Sequence, residues 1–323
     1  MRTSTSLFVG AILLLAFSPS AAIDQSRSHP RNPADRNQAD AAGVPYIGTR
    51  VHHVGKIRFG IGNWGVVGRQ SGGERDACIL LPAPSFEYPR SSRIDYLFQG
   101  ALWVGAVKGG DTLVSVGADG WNSDQEMYPA PYPAGEIIGR TTRPILRAEY
   151  GSTCPDVVFT PEAVSEQDFV AVYADTLFDP YDLGLGGPHI PLGLEVTQES
   201  YAWSYAYADE FVIVNWQIEN VSTELMQDVR LGFFFDADVG HVSAGSLFDD
   251  DICGFLRTVP SMVGAAGGDT MNLAWAADND GDPGAGGVFD DGSPTAVLGV
   301  RLLGTPTGKG TASFNWGKKC KKC

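Results

Sequence analysis

Phe211-Val212-Ile213-Val214-Asn215-Trp216-Gln217-Ile218-Glu219, and soon after it Val229-Arg230-Leu231-Gly232-Phe233-Phe234-Phe235, decide the fold class. In the first run Val212, Val214, Trp216 and Ile218 alternate with positions that turn polar at Asn215, Gln217 and Glu219. In the second, Val229, Leu231, Phe233 and Phe235 alternate with Arg230, Gly232 and Phe234. Neighbouring side chains of a strand point to opposite faces, so an apolar period of two reads as half-buried strands. Leu298, Val300 and Leu302 repeat the pattern between Ala296 and Leu303. Strands of this kind joined by polar turns predict an antiparallel sandwich.

Working outward, Val51 to Ile61 and Ala101 to Val107 are short apolar runs bounded by glycine. In the latter, Leu102, Val104 and Ala106 share one face and Trp103 and Val107 the other, which fits an inner strand. Gly109-Gly110-Asp111 then turns the chain into Thr112–Val116, making a hairpin. One helix is expected. Thr160-Pro161 is a helix-start pair, Ser165-Glu166-Gln167-Asp168 resembles a cap, and the helix would run over 165–174. The Gly- and Pro-rich stretch from Asp179 to Pro191 reads as a linker. The expected fold is all-β, with two antiparallel β-sandwich-like domains and one short connecting helix. Residues 1–22 are expected as a signal peptide and 23–45 as a flexible leader. An N-terminal β domain over 46–178, the linker 179–191, a C-terminal sandwich over 192–316 and a Lys/Cys tail over 317–323 complete the order.

Composition agrees. Of 323 residues 43% are apolar and 19% charged, enough for a sizeable core. Gly 40 and Pro 20, without a Gly-X-Y period, suit a protein rich in turns. A net charge of −15 repels nucleic acid and anionic lipid and invites a divalent cation. At the N-terminus Arg2 precedes the apolar run Leu7–Phe17, which is short for a membrane span; Pro19 and the small residues Ser20-Ala21-Ala22 follow. Cleavage after Ala22 is expected, leaving a protein secreted to the extracellular space, cell surface or periplasm, with no membrane insertion. The five cysteines Cys78, Cys154, Cys253, Cys320 and Cys323 are too sparse for a disulfide scaffold, so burial must hold the fold. The C-x-x-C of Cys320 and Cys323 lacks the strand-to-helix context of a redox pair and the further ligands of a zinc site.

The run Ile94-Asp95-Tyr96-Leu97-Phe98-Gln99-Gly100-Ala101-Leu102-Trp103-Val104-Gly105, with Asp111–Ser115, Gly120-Trp121, Pro191-Leu192-Gly193, Phe211-Val212-Ile213 and Phe314-Asn315-Trp316, resembles a group of large, uncharacterised secreted bacterial β-rich proteins. The likeness covers roughly Tyr46 to Trp316 and lies in strand text, not in a catalytic motif. It implies export and β structure and brings no known activity. Members of that group often continue into further domains and a C-terminal surface-sorting module. This chain stops at GKKCKKC, so a truncated reading frame is expected.

Acidic residues are concentrated. Eleven aspartates lie between Asp236 and Asp291, with Arg257 as the one Lys or Arg. Asp236-Ala237-Asp238 and Asp278-Asn279-Asp280-Gly281-Asp282 each follow an apolar run, and Asp249-Asp250-Asp251 lies between them. Alternate carboxylates in a Gly-containing loop can wrap a hard cation in oxygen ligands. Structural calcium is therefore the expected cofactor, with Asp236, Asp238, Asp249, Asp250, Asp251, Asp278, Asp280 and Asp282 as candidate ligands. Solvated acidic turns are the competing reading. The 278–282 loop resembles the D-x-D-x-D pattern of EF-hands, dockerins and thrombospondin type 3 repeats. It is no EF-hand: Pro283 occupies the glycine position and Phe289 the twelfth position, where glutamate is needed.

Tyr201, Trp203, Tyr205 and Tyr207 would project from one face of a strand over 193–207, either as a platform for sugar rings or as packing between sheets. Enzyme motifs fail: Gly60–Gly65 matches G-x-G-x-x-G but runs into Val66-Val67-Gly68, not a helix. There is no G-x-S-x-G, H-E-x-x-H or Walker loop. His52 and His53, as neighbours on a strand, are poorly placed to share a metal; His189 with Glu195 and Glu199 is the one residual cluster, against the plainer reading of a surface histidine. The expected function is a secreted, non-catalytic, calcium-stabilised interaction module directed at an extracellular glycan or surface protein. The alternative is a secreted glycosidase or peptidase using acidic residues at the sandwich edge.

Overall fold

The alternating runs form strands in a computed structural model that describes residues 11–18, 47–68, 75–76, 83–118, 125–131, 134–143, 157–176, 189–244, 249–260, 269–284, 286–306, 312–315 and 321–322. Residues 23–45, most of 179–191, and Cys78, Cys154, Cys320 and Cys323 lie outside that set. In chain order the strands begin with β1 (Ala11–Ser18), β2 (Thr49–His52), β3 (Arg58–Gly62), β4 (Val66–Gly68), β5 (Phe86–Glu87) and β6 (Ile94–Asp95). The hairpin β7 (Gln99–Lys108) and β8 (Asp111–Val116) follows, then β9 (Tyr128–Pro129), β10 (Ile138–Thr141), β11 (Val157–Phe159) and β12 (Gln167–Ala174). The rest of the chain supplies β13 (Leu194–Ala202), β14 (Phe211–Asn220), β15 (Met226–Asp236) and β16 (Gly240–His241). It ends with β17 (Ile252–Val259), β18 (Asp269–Ala277), β19 (Leu298–Gly304) and β20 (Lys321–Lys322).

The protein is all-β, its strands gathered into two sheets. The larger runs β11-β10-β12-β13-β14-β1-β19-β18-β17-β20, with β9 beside β12; the smaller runs β15-β7-β4-β3-β5-β6-β16, with β2 on β3 and β8 on β7. Strands from before and after residues 179–191 are mixed in both. One apolar cluster joins them: Phe59, Leu102 and Val104 of the smaller sheet pack in it with Phe169, Val214 and Trp216 of the larger. Burying one face of each sheet against the other is what makes such layers stable.

The decisive strands behave unequally. In β14, Val212, Val214 and Trp216 are buried while Ile213 and Gln217 are half-exposed, as their alternation predicts. In β15, Phe233 and Phe235 pack on the core, but Val229 and Leu231 are exposed. That end of β15 carries a register shift against β7 between Gln227 and Arg230, so the pattern loses its face there.

The helix expected over 165–174 is not present: the described residues hold no helix, and Gln167–Ala174 is β12. The cap-like text closes a turn instead. The Asp168 carboxylate accepts from the N–H groups of Val164 and Ser165 and from the Ser165 hydroxyl, while Ser165 Oγ accepts from the N–H of Gln167 and of Ala202. Strand β12 then pairs antiparallel with β13 along its whole length, Gln167 opposite Ala202 and Ala174 opposite Glu195.

Candidate metal centre

The acidic site is built by register. Strands β17 and β18 are antiparallel with Ile252 opposite Ala277, so the loop entering β17 and the loop leaving β18 meet at one end of the sheet. Asp249-Asp250-Asp251 stands on the first loop and Asp278–Asp282 on the second. Asp250, Asp278 and Asp280 each present a carboxylate oxygen within 4.8 Å of the others.

The 278–282 loop is shaped by its own side chains. Asp278 Oδ1 accepts from Asp280 N (2.9 Å) and from Gly281 N, and Asp280 Oδ1 accepts from Asp282 N (2.9 Å). Gly281 sits at φ +75°, where a side chain would be strained, and the Phe289 ring lies 2.9 Å from where a Cβ would be. These bonds are the turn chemistry of the solvated-turn reading, and they fix the spacing of Asp278 and Asp280.

Behind the three lies Asp251, buried at 7% exposure. Its Oδ2 accepts from Val239 N (3.2 Å), and its Oδ1 has no hydrogen-bond partner among the described residues. Burial, reinforced by the charges of Asp238, Asp278 and Asp250, pushes its carboxyl up to about 8 despite the Val239 bond. Asp278 is raised by burial and then by the charges of Asp250 and Asp282. Asp282 is raised by burial and then by Asp250 and Asp280. Crowded carboxylates that are harder to ionise than usual are groups that a cation would relieve.

Of the eight expected ligands, then, Asp250, Asp278 and Asp280 come together. Asp282 acts on Asp278 through charge, Asp238 joins Asp250 and Asp278 in acting on Asp251, and Asp236 and Asp249 lie outside the close group. Asp236 closes β15 in the other sheet, where its carbonyl accepts from Phe98 N (2.8 Å).

The aromatic row is corrected. Strand β13 ends at Ala202, and Tyr205 and Tyr207 lie in a turn beyond it, so the four do not share one strand face. They form two pairs. Tyr201 and Trp203 are half-buried with ring centres 6.4 Å apart, and Trp203 also tilts against Phe211 at 5.8 Å. Tyr205 and Tyr207 stack at 5.6 Å, 47% and 83% exposed.

Histidine placements differ from the expected cluster. His189 Nδ1 pairs with Glu126 (3.2 Å) and its Nε2 with the Asp175 carbonyl (3.1 Å), while Glu199 accepts from Tyr201 and Asn215. His52 makes a contact that sequence reasoning missed. Its Nδ1 lies 3.3 Å from Gln167 Oε1 and its Nε2 2.8 Å from Ser200 Oγ, partners far apart in the chain. With Nδ1–H donating to Gln167, Nε2 accepts from the serine hydroxyl. The pair has the form of a nucleophile and its base, but Ser200 and His52 are both 0% exposed and no substrate reaches them. Burial lowers the His52 pKa to about 3, which makes the ring too weak a base for that role at neutral pH. Cys253, on β17, is disulfide-bonded, its partner lying outside the described residues, and β20 lies parallel to the start of β17. No protein-family model, curated protein or solved structure matches the chain.

Proposed function

We propose that this chain is an exported, non-catalytic β-sandwich interaction module whose acidic end is organised by calcium. The observation that carries the reading is the meeting of Asp250, Asp278 and Asp280 within 4.8 Å from two loops at one sheet end. Their oxygens are hard ligands suited to calcium, and Asp278 and Asp280 already hold a turn that fixes their spacing. Export is supported by the text of residues 2–22 and by the resemblance to large secreted bacterial proteins. A glycan ligand is supported by Tyr205 and Tyr207, whose exposed stacked rings offer an aromatic surface of the kind that sugar rings cover.

The test follows thermal unfolding of wild type and Asp278→Asn across a calcium titration, with glycan-array screening at both ends of the titration. Wild type should gain several degrees at millimolar calcium, Asp278→Asn should gain little, and any glycan signal should be lost in Tyr207→Ala. An unchanged wild-type midpoint would sink the calcium site; a blank array with and without calcium would sink the glycan ligand.

A further inference from the structure

The middle of the larger sheet is closed by the residues that the export reading removes. Strand β1 lies between β14 and β19 and is parallel to both, running from Ile12 opposite Phe211 to Ser18 opposite Gln217. On its other edge it runs from Ala11 opposite Leu298 to Ala16 opposite Gly304. β14 and β19 do not pair with each other, so among the described residues β1 alone joins the two halves of this sheet. Yet Ala11–Phe17, all of β1 but its last residue, lies inside the apolar run that precedes the expected cleavage after Ala22.

Take β1 away and two central strands face each other across about 10 Å, twice the ordinary strand spacing. Their backbone N–H and C=O groups on that side lose their partners, and open edges of this kind pair with other chains. The flanking strands carry Val212, Val214, Trp216, Leu298 and Val300, all buried, so the face that an entering strand turns to the core must be apolar. Direction adds a second constraint. β12–β13, β13–β14, β18–β19 and β17–β18 are all antiparallel, whereas β1 is parallel to both of its neighbours. A strand entering the other way would make the order alternate without a break from β12 to β17, and antiparallel ladders are slightly the more stable.

We propose that the slot between β14 and β19 is a strand-acceptor site. Once residues 1–22 are removed, it binds an extended, uncharged, apolar segment of about seven residues from a partner polypeptide by β-augmentation. The segment runs antiparallel to β14 and β19, and the leader strand holds the slot until then. The inference rests on the export reading for the removal of the leader and on nothing said of calcium or glycans.

The test folds the full chain with a protease site placed after Ala22, cuts it, and adds a labelled peptide of sequence Ala11–Ser18 in excess. Incorporation of one peptide per cut chain, little into uncut chain, and none of a Leu13→Pro, Leu15→Pro peptide is the expected result. A reversed-sequence peptide should displace the leader more completely than the forward one. No incorporation into cut chain, or equal incorporation into cut and uncut chain, overturns the site. So does a reversed peptide that never displaces the forward one, for the direction. Should cutting unfold the protein, full chain carrying Leu13→Pro and Leu15→Pro replaces it, and rescue of its midpoint by the peptide is read instead. The N-terminus of the exported protein, measured by mass, is a separate readout: a retained Met1 defeats the expected cleavage after Ala22, and with it the opening of the slot, whatever the peptide exchange shows.

Discussion

Replacing Asp175 by asparagine should cost about 3 kcal/mol of stability, because it breaks a knot of buried hydrogen bonds. Asp175 follows β12 and is 1% exposed. Its Oδ2 accepts from Ser115 Oγ (2.7 Å) and Leu192 N (2.8 Å), and its Oδ1 from Leu194 N (2.6 Å). Gly193 N is shared between the two oxygens at 3.1 and 3.2 Å. One carboxylate therefore holds the start of β13 and ties it to β8. Gly193 belongs to this knot: it sits at φ +85°, which lets three successive N–H groups converge on one side chain. Asparagine keeps one acceptor and replaces the other with a donor. If the amide nitrogen takes the Oδ2 place, Ser115 can turn to accept but the Leu192 N–H is orphaned; in the Oδ1 place, the Leu194 N–H is orphaned. A buried orphan costs about 1–3 kcal/mol, and the remaining bonds lose their charge assistance. The total is about 3 kcal/mol, or about 6 °C in the midpoint at the roughly 2 °C per kcal/mol of a chain this long. Urea unfolding should show a lower midpoint at unchanged slope. Ser115→Ala, which removes one donor and orphans no N–H, should cost about 1 kcal/mol. If Asp175→Asn unfolds within 1 °C of wild type, or Ser115→Ala costs as much, the knot does not hold the sheet in the way argued.

Two further outcomes follow from the interior. His52 should stay neutral well below its ordinary range. With the folded value lowered to about 3 by burial, the unfolded chain binds the proton first, so the contribution of His52 to stability is present above pH 6.5 and lost as pH falls toward 3. A ring titration by NMR showing a midpoint near 6.5 for His52 would contradict this. Trp216→Phe should lower the urea midpoint by an amount worth about 2 kcal/mol. It removes the indole N–H bond to Gln198 Oε1 (2.9 Å) and leaves a void at a 0% exposed position. A loss below about 0.5 kcal/mol would mean that the core refills and that Tyr173, which donates to the same oxygen at 3.2 Å, satisfies it alone.

What could be read in the text depended on whether a residue's partner was local. The period of two in β14 and the Gly109-Gly110 turn between β7 and β8 are local, and both appear where they were expected. Strand β12 was misread because Phe169, Val170 and Ala171 are all buried, which erases alternation, and because a Ser–Asp turn shares its grammar with a helix cap. In the acidic site Asp278 and Asp280 were legible from their spacing. That Asp250, and neither Asp236 nor Asp249, completes the close group follows from the pairing of Ile252 with Ala277, a fact of register that local text does not carry. The leader makes the same point from the other side. An apolar run with no period has no polar face to turn outward, so it suits a signal segment and a strand in the middle of a sheet equally well. The Ala11–Ser18 backbone takes the second place, in the one position of the larger sheet where the antiparallel order on both sides breaks. On the proposed export reading, such a run would occupy the slot in the precursor and be dispensable afterwards, provided another apolar strand takes its place.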